Sequence, residues 1–363
     1  MKKTSTRLAD GRELIYYDLR DDETRDAVDR RPLDPVTSAS EIRQDPLLGD
    51  FVAIASHRQT RTYHPPADEC PLCPSRDGRS GGTPFGGEIP DDHYDVAVFE
   101  NRFPSLTGKH GRCEVVCFTD RHDGSFADLT PEQARLVLDA WTDRTAELSR
   151  LPGVEQVYCF ENRGEEIGVT LGHPHGQIYG YPHATPRTEL MLRSLERHRE
   201  ATGGRNLFDD LVAREREDGS RIVLEGEHWT AFVPYSAHWP YEVHLYPRHR
   251  VPDLTGLDEA ARAEFPGIYL ELLRRFDRLF GPEGPYRPGA AAEPPTPYIS
   301  GWHQAPLSSP LREEFALHLE LFTIRRTKGK LKYLAGSESG MSVFINDVPP
   351  ETAASRLREV ASP

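Results

Sequence analysis

Short apolar runs and a helical period succeed each other along the chain, and the succession is played twice. Residues 95–100 and 113–119 are rich in Val, Phe and Cys and read as a pair of strands. The string Thr130-Pro131-Glu132-Gln133 opens a helix: threonine caps it, proline suits its first turn, and the acid sits at the positive end of the dipole. Leu136, Ala140, Trp141 and Leu148 give that helix an apolar face. Residues 154–161 and 176–181 return as strands. In the second half, 228–234 and 241–246 read as strands, 257–280 as a helical stretch that Pro266 should kink or split, and 298–302 and 315–323 as strands.

The two halves share a signature. Glu114-Val115 precedes Arg121-His122, Glu242-Val243 precedes Arg248-His249, and each pair stands before an Asp-Leu-Thr string at 128–130 or 253–255. With the repeated element order, this reads as an internal duplication. The first 40 residues are highly charged and are expected to form an irregular arm. Residues 75–87, rich in Gly, Ser and Pro, read as an exposed loop, and 284–297 as a surface excursion.

Composition narrows the function classes. At 363 residues the chain suits about two domains or one duplicated unit. Its 44 Lys and Arg against 58 Asp and Glu leave a net charge of −14, which argues against a nucleic-acid partner held on a broad basic face. A nucleotide ligand needs only a few local cations. No apolar run approaches the roughly 20 residues of a membrane helix, so no membrane partner is expected. The start MKKTSTRLADGRE has no apolar segment behind it and is not a signal peptide, so the expected location is cytoplasmic.

Five cysteines are too few, and odd in number, for a disulfide scaffold. Cys113, Cys117 and Cys159 sit in apolar runs and read as buried small hydrophobes. Cys70 and Cys73 form a C-x-x-C knuckle flanked by Pro, Gly, Asp and Ser. A redox pair wants a strand before and a helix after, so half a metal site is the better reading.

The sharpest chemistry lies in Gly172-His173-Pro174-His175-Gly176-Gln177, followed by a strand. Two histidines one residue apart on extended backbone share a face, and a bend at the proline or glycines would let one serve a metal while the other meets a ligand. The bland reading, a loop of solvated histidines, is disfavoured by the flanking glycines, which allow close backbone approach.

The His-Pro-His-Gly-Gln string, with Cys-x-x-Cys about a hundred residues upstream, resembles the galactose-1-phosphate uridylyltransferase family of the histidine-triad superfamily. Further matches run from Asp45-Pro46-Leu47 to Arg356-Leu357-Arg358, through Phe99-Glu100-Asn101, Phe160-Glu161-Asn162 and Gly301-Trp302-His303. The resemblance implies an α+β fold of two fused histidine-triad-like halves, each an antiparallel sheet with packed helices, here residues 1–205 and 206–363. It implies an enzyme that moves a uridylyl group from UDP-glucose to galactose 1-phosphate by a two-step, ping-pong route, giving UDP-galactose and glucose 1-phosphate. His175 matches the nucleophile and Gln177 the phosphoryl-binding glutamine. A glutamine there hydrogen-bonds phosphate but is no general acid, which favours transfer over hydrolysis.

Carried over residue by residue, Arg58 and Arg61 match arginines around the phosphates, and Thr170 replaces a serine hydroxyl at the phosphate. Asn101, Glu161 and Asn162 match positions near uridine, with Glu161 supporting the loop. Lys332 and Glu338 match a segment binding the hexose phosphate, in the family often across a dimer interface, and a homodimer is expected. Cys70, Cys73, His122 and His173 match the ligands of one structural Zn2+ site, although His173 could instead belong to the phosphate site. A second metal site, known in some members, is expected to be weak or empty: His303 and His318 match two of its ligands, but Glu320 stands where a third histidine would be and Leu192 where a glutamate is expected. Leu317-His318-Leu319-Glu320 then reads as the degenerate counterpart of the active string. Two other readings stand beside this one: a related nucleotidyltransferase such as an adenylyl-transferring phosphorylase, and a non-catalytic nucleotide-binding protein.

Overall fold

In the computed structural model, which describes residues 1–35, 40–56, 65–75, 87–281 and 295–362, the charged amino terminus is not wholly an irregular arm. It begins with two antiparallel strands, β1 (Lys2–Arg7) and β2 (Glu13–Asp18). Charge masked the pattern: β1 is polar throughout, as suits an edge strand, whereas Leu14, Ile15, Tyr16 and Tyr17 of β2 are all fully buried. Gly11, at φ 87°, lets the chain turn between them. Most of the two surface segments expected at 75–87 and 284–297 lies outside the described residues.

The elements that follow are β3 (Glu41–Gln44), β4 (Phe51–Ile54), β5 (Val96–Glu100), β6 (Arg112–Cys117), α1 (Pro131–Leu148), β7 (Gln156–Arg163), β8 (His175–Tyr181) and α2 (Pro186–Thr202). Then come α3 (Leu207–Asp218), β9 (Ile222–Glu225), β10 (Trp229–Phe232), β11 (Val243–Pro247), α4 (Glu259–Arg278), β12 (Tyr298–His303) and β13 (His318–Phe322). The pair β14 (Arg325–Thr327) and β15 (Lys330–Leu331), α5 (Gly336–Met341) and α6 (Pro350–Glu359) close the chain. Two compact units result: Met1–Cys159 with Thr170–Leu190 and Pro306–Pro310, and Phe160–Val169 with Met191–Ala305 and Leu311–Pro363.

In the first unit the strands lie in the order β1-β2-β5-β6-β8-β7. Helix α1 starts as its sequence dictates: Thr130 Oγ1 accepts from the Gln133 amide at 3.2 Å, and the Gln133 side chain accepts from the Thr130 amide at 3.2 Å. Its apolar face buries Leu136, Val137, Ala140, Trp141 and Leu148, with Trp141 stacked on Phe126 and edge-on to Phe118. Beneath the same helix, Arg144 is held in a buried ion pair with Glu114 at 2.8 Å.

In the second unit the order is β7-β12-β13-β11-β10-β9. Helix α4 continues through Pro266 as one element, so the proline does not split it. The surrounding turns bury Phe265, Tyr269, Leu272, Leu273 and Phe276, and Trp229 packs on Phe265 at 5.7 Å; that packing outweighs the one hydrogen bond proline cannot make.

The duplication is explicit in the topology. Strand, strand, helix, strand, strand (β5, β6, α1, β7, β8) recurs as β10, β11, α4, β12, β13, and in each set the fourth strand lies beside the second, with the third outside it. The last strand of the first set carries His175 and Gln177, and the last strand of the second carries His318 and Glu320.

Candidate active site

The Cys70–Cys73 knuckle is a tight turn whose mouth is closed by a second segment: Glu88 N–H donates to the Pro71 carbonyl at 2.6 Å, and Ser75 N–H to the Asp91 carbonyl at 2.8 Å. Gly87 is required there, because a Cβ would meet the Pro71 carbonyl oxygen at 2.6 Å. Cys73 Sγ lies 3.3 Å from His122 Nδ1 and 3.3 Å from His173 Nδ1. One ligand atom from each of Cys70, Cys73, His122 and His173 falls within 4.8 Å of all the others. Two thiolates and two imidazoles around a tetrahedral ion would sit about 3.6 Å apart from S to N, so the set fits a metal of zinc's type.

The surroundings orient these side chains. His173 Nε2 lies 2.7 Å from the Thr119 carbonyl, to which it donates, and 2.8 Å from the Tyr94 hydroxyl, which itself donates to the Leu72 carbonyl at 2.8 Å. That arrangement leaves the Nδ1 lone pair facing Cys73, with the other ring nitrogen anchored to a carbonyl as metal-binding histidines need. The Cys70 thiol is held far below its ordinary range, first by its hydrogen bond with Cys73 and then by His173. Cys113, Cys117 and Cys159 are buried, as expected, and burial pushes Cys159 up to about 12.

The bend anticipated at the proline falls at His173-Pro174. It sends His173 into the buried Cys/His cluster and puts His175 at the head of β8, half-buried. Phe118 N–H donates to the Pro174 carbonyl at 3.2 Å, and Cys117 pairs with His175, so the bend is clamped to the strand leading to His122. His175 Nδ1 donates to the His173 carbonyl at 2.7 Å, which leaves the lone pair on Nε2. Desolvation lowers the His175 pKa, against the hydrogen bond to the His173 carbonyl, which raises it.

Alternation along β8 places His175, Gln177 and Tyr179 on one face, opposite Cys117, Val115 and Cys113 of β6. Tyr179 donates its hydroxyl to Gln177 Oε1 at 3.1 Å. Asn101 continues the same face, its backbone N–H donating to the Cys113 carbonyl at 2.9 Å. Its side-chain oxygen accepts from Phe103 N–H at 2.8 Å, and it borders a cavity of about 540 Å³ shared with Arg12, Glu100 and Arg112. Thr170 is half-buried in the segment before Leu171, which packs on the core. Arg58 and Arg61 lie outside the described residues.

In the second unit, Glu161 is buried beside Arg163 and Tyr298, and burial pushes its carboxyl up to about 8. It is an interior group, while its neighbour Asn162 is half-buried on the opposite face of β7. Lys332 and Glu338, the expected sugar-phosphate contacts, bind each other at 2.8 Å, and Lys332 Nζ also donates to the Ile345 carbonyl. The lysine holds the Glu338 carboxyl down at about 2.

His303, His318 and Glu320 also gather, all buried, with ligand atoms within 4.8 Å of one another. The His303 and His318 rings stack at 4.9 Å, and Glu320 lies 3.3 Å from His303 Nε2. A residue not anticipated from sequence joins them: His244, opposite Glu320 in the ladder and 3.5 Å from its carboxylate. Overlaying the two Glu-Val signatures would have found it. Leu192 packs instead into an apolar cluster with Phe208, Tyr246 and Phe315. Tyr94 and Tyr179 were also missed; Tyr179 was detectable from the two-residue period of β8, Tyr94 from nothing local.

Comparison with known proteins agrees with this architecture. The family description "Galactose-1-phosphate uridyl transferase, N-terminal domain" matches residues 107–185, and its C-terminal counterpart matches 192–362. A galactose-1-phosphate uridylyltransferase of Streptomyces lividans is 64% identical, covering 99% of this chain and 98% of that protein. One from Thermotoga maritima is 33% identical over 88% of this chain and 98% of its own length. A solved uridylyltransferase structure superposes with a TM-score of 0.73 at 30% identity, covering 89% of this chain and 98% of that one. The chain belongs to the galactose-1-phosphate uridylyltransferase family. Among the described residues no helix is long and apolar enough to cross a membrane.

Proposed function

We propose that this chain transfers a uridylyl group from UDP-glucose to galactose 1-phosphate through a covalent intermediate on His175. The observation that carries the reading is the pairing of an oriented imidazole with an amide on the same strand face: His175 Nδ1 is tied to the His173 carbonyl and Gln177 stands two residues on. Nε2 attacks the α-phosphorus, the bond to the bridging oxygen breaks, and glucose 1-phosphate leaves. A phosphate oxygen of galactose 1-phosphate then attacks the same phosphorus, the P–N bond breaks, and UDP-galactose leaves with His175 restored. Gln177 donates a hydrogen bond to a phosphoryl oxygen in both steps. Arg58, Arg61 and Thr170 serve the phosphates, Asn101 and Asn162 the nucleoside, Glu161 supports the loop, and Lys332 and Glu338 serve the hexose phosphate.

In this reading Cys70, Cys73, His122 and His173 hold one structural zinc ion, which supplies fixed geometry and no step of the reaction. The first half, 1–205, does the chemistry, and the second, 206–363, contributes the sugar-phosphate segment. The protein works as a cytoplasmic homodimer; exposed Leu47, Leu48 and Val52 on and beside the β3–β4 hairpin support a covered surface there.

Intact-protein mass spectrometry after mixing with UDP-glucose alone tests the proposal. A gain of one uridylyl group, discharged by galactose 1-phosphate and absent in His175→Ala, is expected. An adduct formed only from an adenine nucleotide, or tight binding with no adduct at all, overturns it.

A further inference from the structure

Gln177 can present either end of its amide to a ligand, and only one end is useful to a phosphoryl oxygen, which accepts hydrogen bonds and cannot donate them. With the –NH2 outward the residue donates; flipped, its carbonyl oxygen would face phosphate oxygens and repel them. The strand itself does not choose between the two.

The choice is made by Tyr179. Its hydroxyl reaches back along the face of β8 and donates to Gln177 Oε1 at 3.1 Å. With Oε1 satisfied from that side, Nε2 is turned away from Tyr179. The tyrosine is itself backed: its ring meets Tyr181 edge-on at 5.9 Å, Tyr181 lies 6.4 Å from the His183 ring, and His183 packs on Phe51 at 4.4 Å. The order His175, Gln177, Tyr179, Tyr181 follows from the two-residue period of one strand, so nucleophile, phosphoryl donor and the group that aims the donor share a single rigid element.

We infer that Tyr179 is a positioning residue for the transfer: it fixes the Gln177 amide with Nε2 toward the transferring phosphoryl group. This rests on the reading of Gln177 as a phosphoryl contact. Tyr179 need not touch the substrate, so its effect should reach the reaction only through Gln177.

A double-mutant cycle on the full-length protein tests this, using the single-turnover rate of uridylyl-enzyme formation from UDP-glucose. Tyr179→Phe keeps the ring and its contact with Tyr181 but removes the donor. It should slow uridylylation about 3- to 10-fold at saturating UDP-glucose, the range of one neutral hydrogen bond, with the half-saturating concentration within about twofold of wild type. In a Gln177→Ala background the same change should cost nothing further. Equal losses in both backgrounds, no loss in either, or a loss confined to the half-saturating concentration overturns the inference. Should Tyr179→Phe not fold, Tyr179→Leu is run through the same cycle and its coupling to Gln177 read the same way. Failure of the underlying reading looks different: wild type itself would form no adduct, or Gln177→Ala would react as fast as wild type, and either result removes the inference with it.

Discussion

His175 and His318 make the same hydrogen bond in corresponding strands of the two units, Nδ1 to the carbonyl two residues earlier, at 2.7 and 2.8 Å. Their surroundings differ. His175 is half-buried beside Gln177, whereas His318 is fully buried between aromatic rings, and desolvation drives its pKa well below the ordinary value. The duplication kept the backbone device in both halves, and only the first presents its ring on a partly open face.

Removing the nucleophile should abolish the first half-reaction. His175→Ala is expected to lose uridylyl-enzyme formation by at least about a thousandfold, with circular dichroism unchanged, since the bond it breaks lies at a strand end. Retention of adduct would assign the nucleophile elsewhere.

Gln177→Ala should leave UDP-glucose binding nearly intact and slow single-turnover uridylylation about a hundredfold, the usual cost of losing one donor to a developing charge. A fall in affinity with an unchanged rate constant would contradict that role.

Loss of the Cys/His cluster should be felt as stability first. Chelation, or Cys73→Ser, is expected to lower the unfolding midpoint by about 5–10 °C, because an ion bound only by the folded state stabilises by mass action. Elemental analysis should give one zinc per chain. A second equivalent that survives Cys73→Ser and is lost on His303→Ala would locate metal at the other cluster.

Glu161 gives a pH signature with a definite sign. Its carboxyl is raised to about 8 in the fold, so between the ordinary value of 4.5 and 8 the folded state binds the extra proton and stability declines as pH rises. Glu161→Gln should remove that decline, making the variant more stable relative to wild type at pH 8 than at pH 5 by about 2–4 kcal/mol. Denaturant titration at the two pH values measures the difference, and parallel pH dependence in both proteins would refute it.

Lys332 should matter to the acceptor step. Lys332→Ala strands a buried carboxylate at Glu338 and is expected to raise the half-saturating concentration of galactose 1-phosphate about tenfold or more while uridylylation by UDP-glucose proceeds normally. Equal impairment of both half-reactions would assign the pair a general structural role.

Much of this was legible before any coordinates. The capped start of α1, the strands around residues 95–117, and the repeat of strand–strand–helix–strand–strand follow from local period and end signals. So did the bend that separates His173 from His175. What escaped was set by contacts distant in sequence. β1 and β2 lie inside a charged stretch, and only pairing with β5 shows that Leu14 to Tyr17 are core. α2 and α3 carry thin apolar faces that make sense once Leu195 and Phe208 are seen against Phe232 and Phe315. Pro266 misled because propensity spoke for a break and packing spoke louder. In the site, the residues that lie in motifs are readable and His244 follows from overlaying the two Glu-Val signatures, whereas Tyr94 joins the cluster through a hydrogen bond to His173 that no local pattern announces.

The cluster that gathers Cys73 and His173 closes a loop of one hundred residues. In secreted proteins a covalent bridge between sulfurs does that work, shrinking the freedom of the unfolded chain at the cost of needing an oxidant. Here the same constraint would be written in coordinate bonds, so it can be made and unmade by metal supply without any change of oxidation state. Because His173 is separated from His175 by a single proline, this staple would end almost at the atom proposed to react. The chain's stability and its competence for transfer would therefore be set by one common variable, the free concentration of a divalent ion.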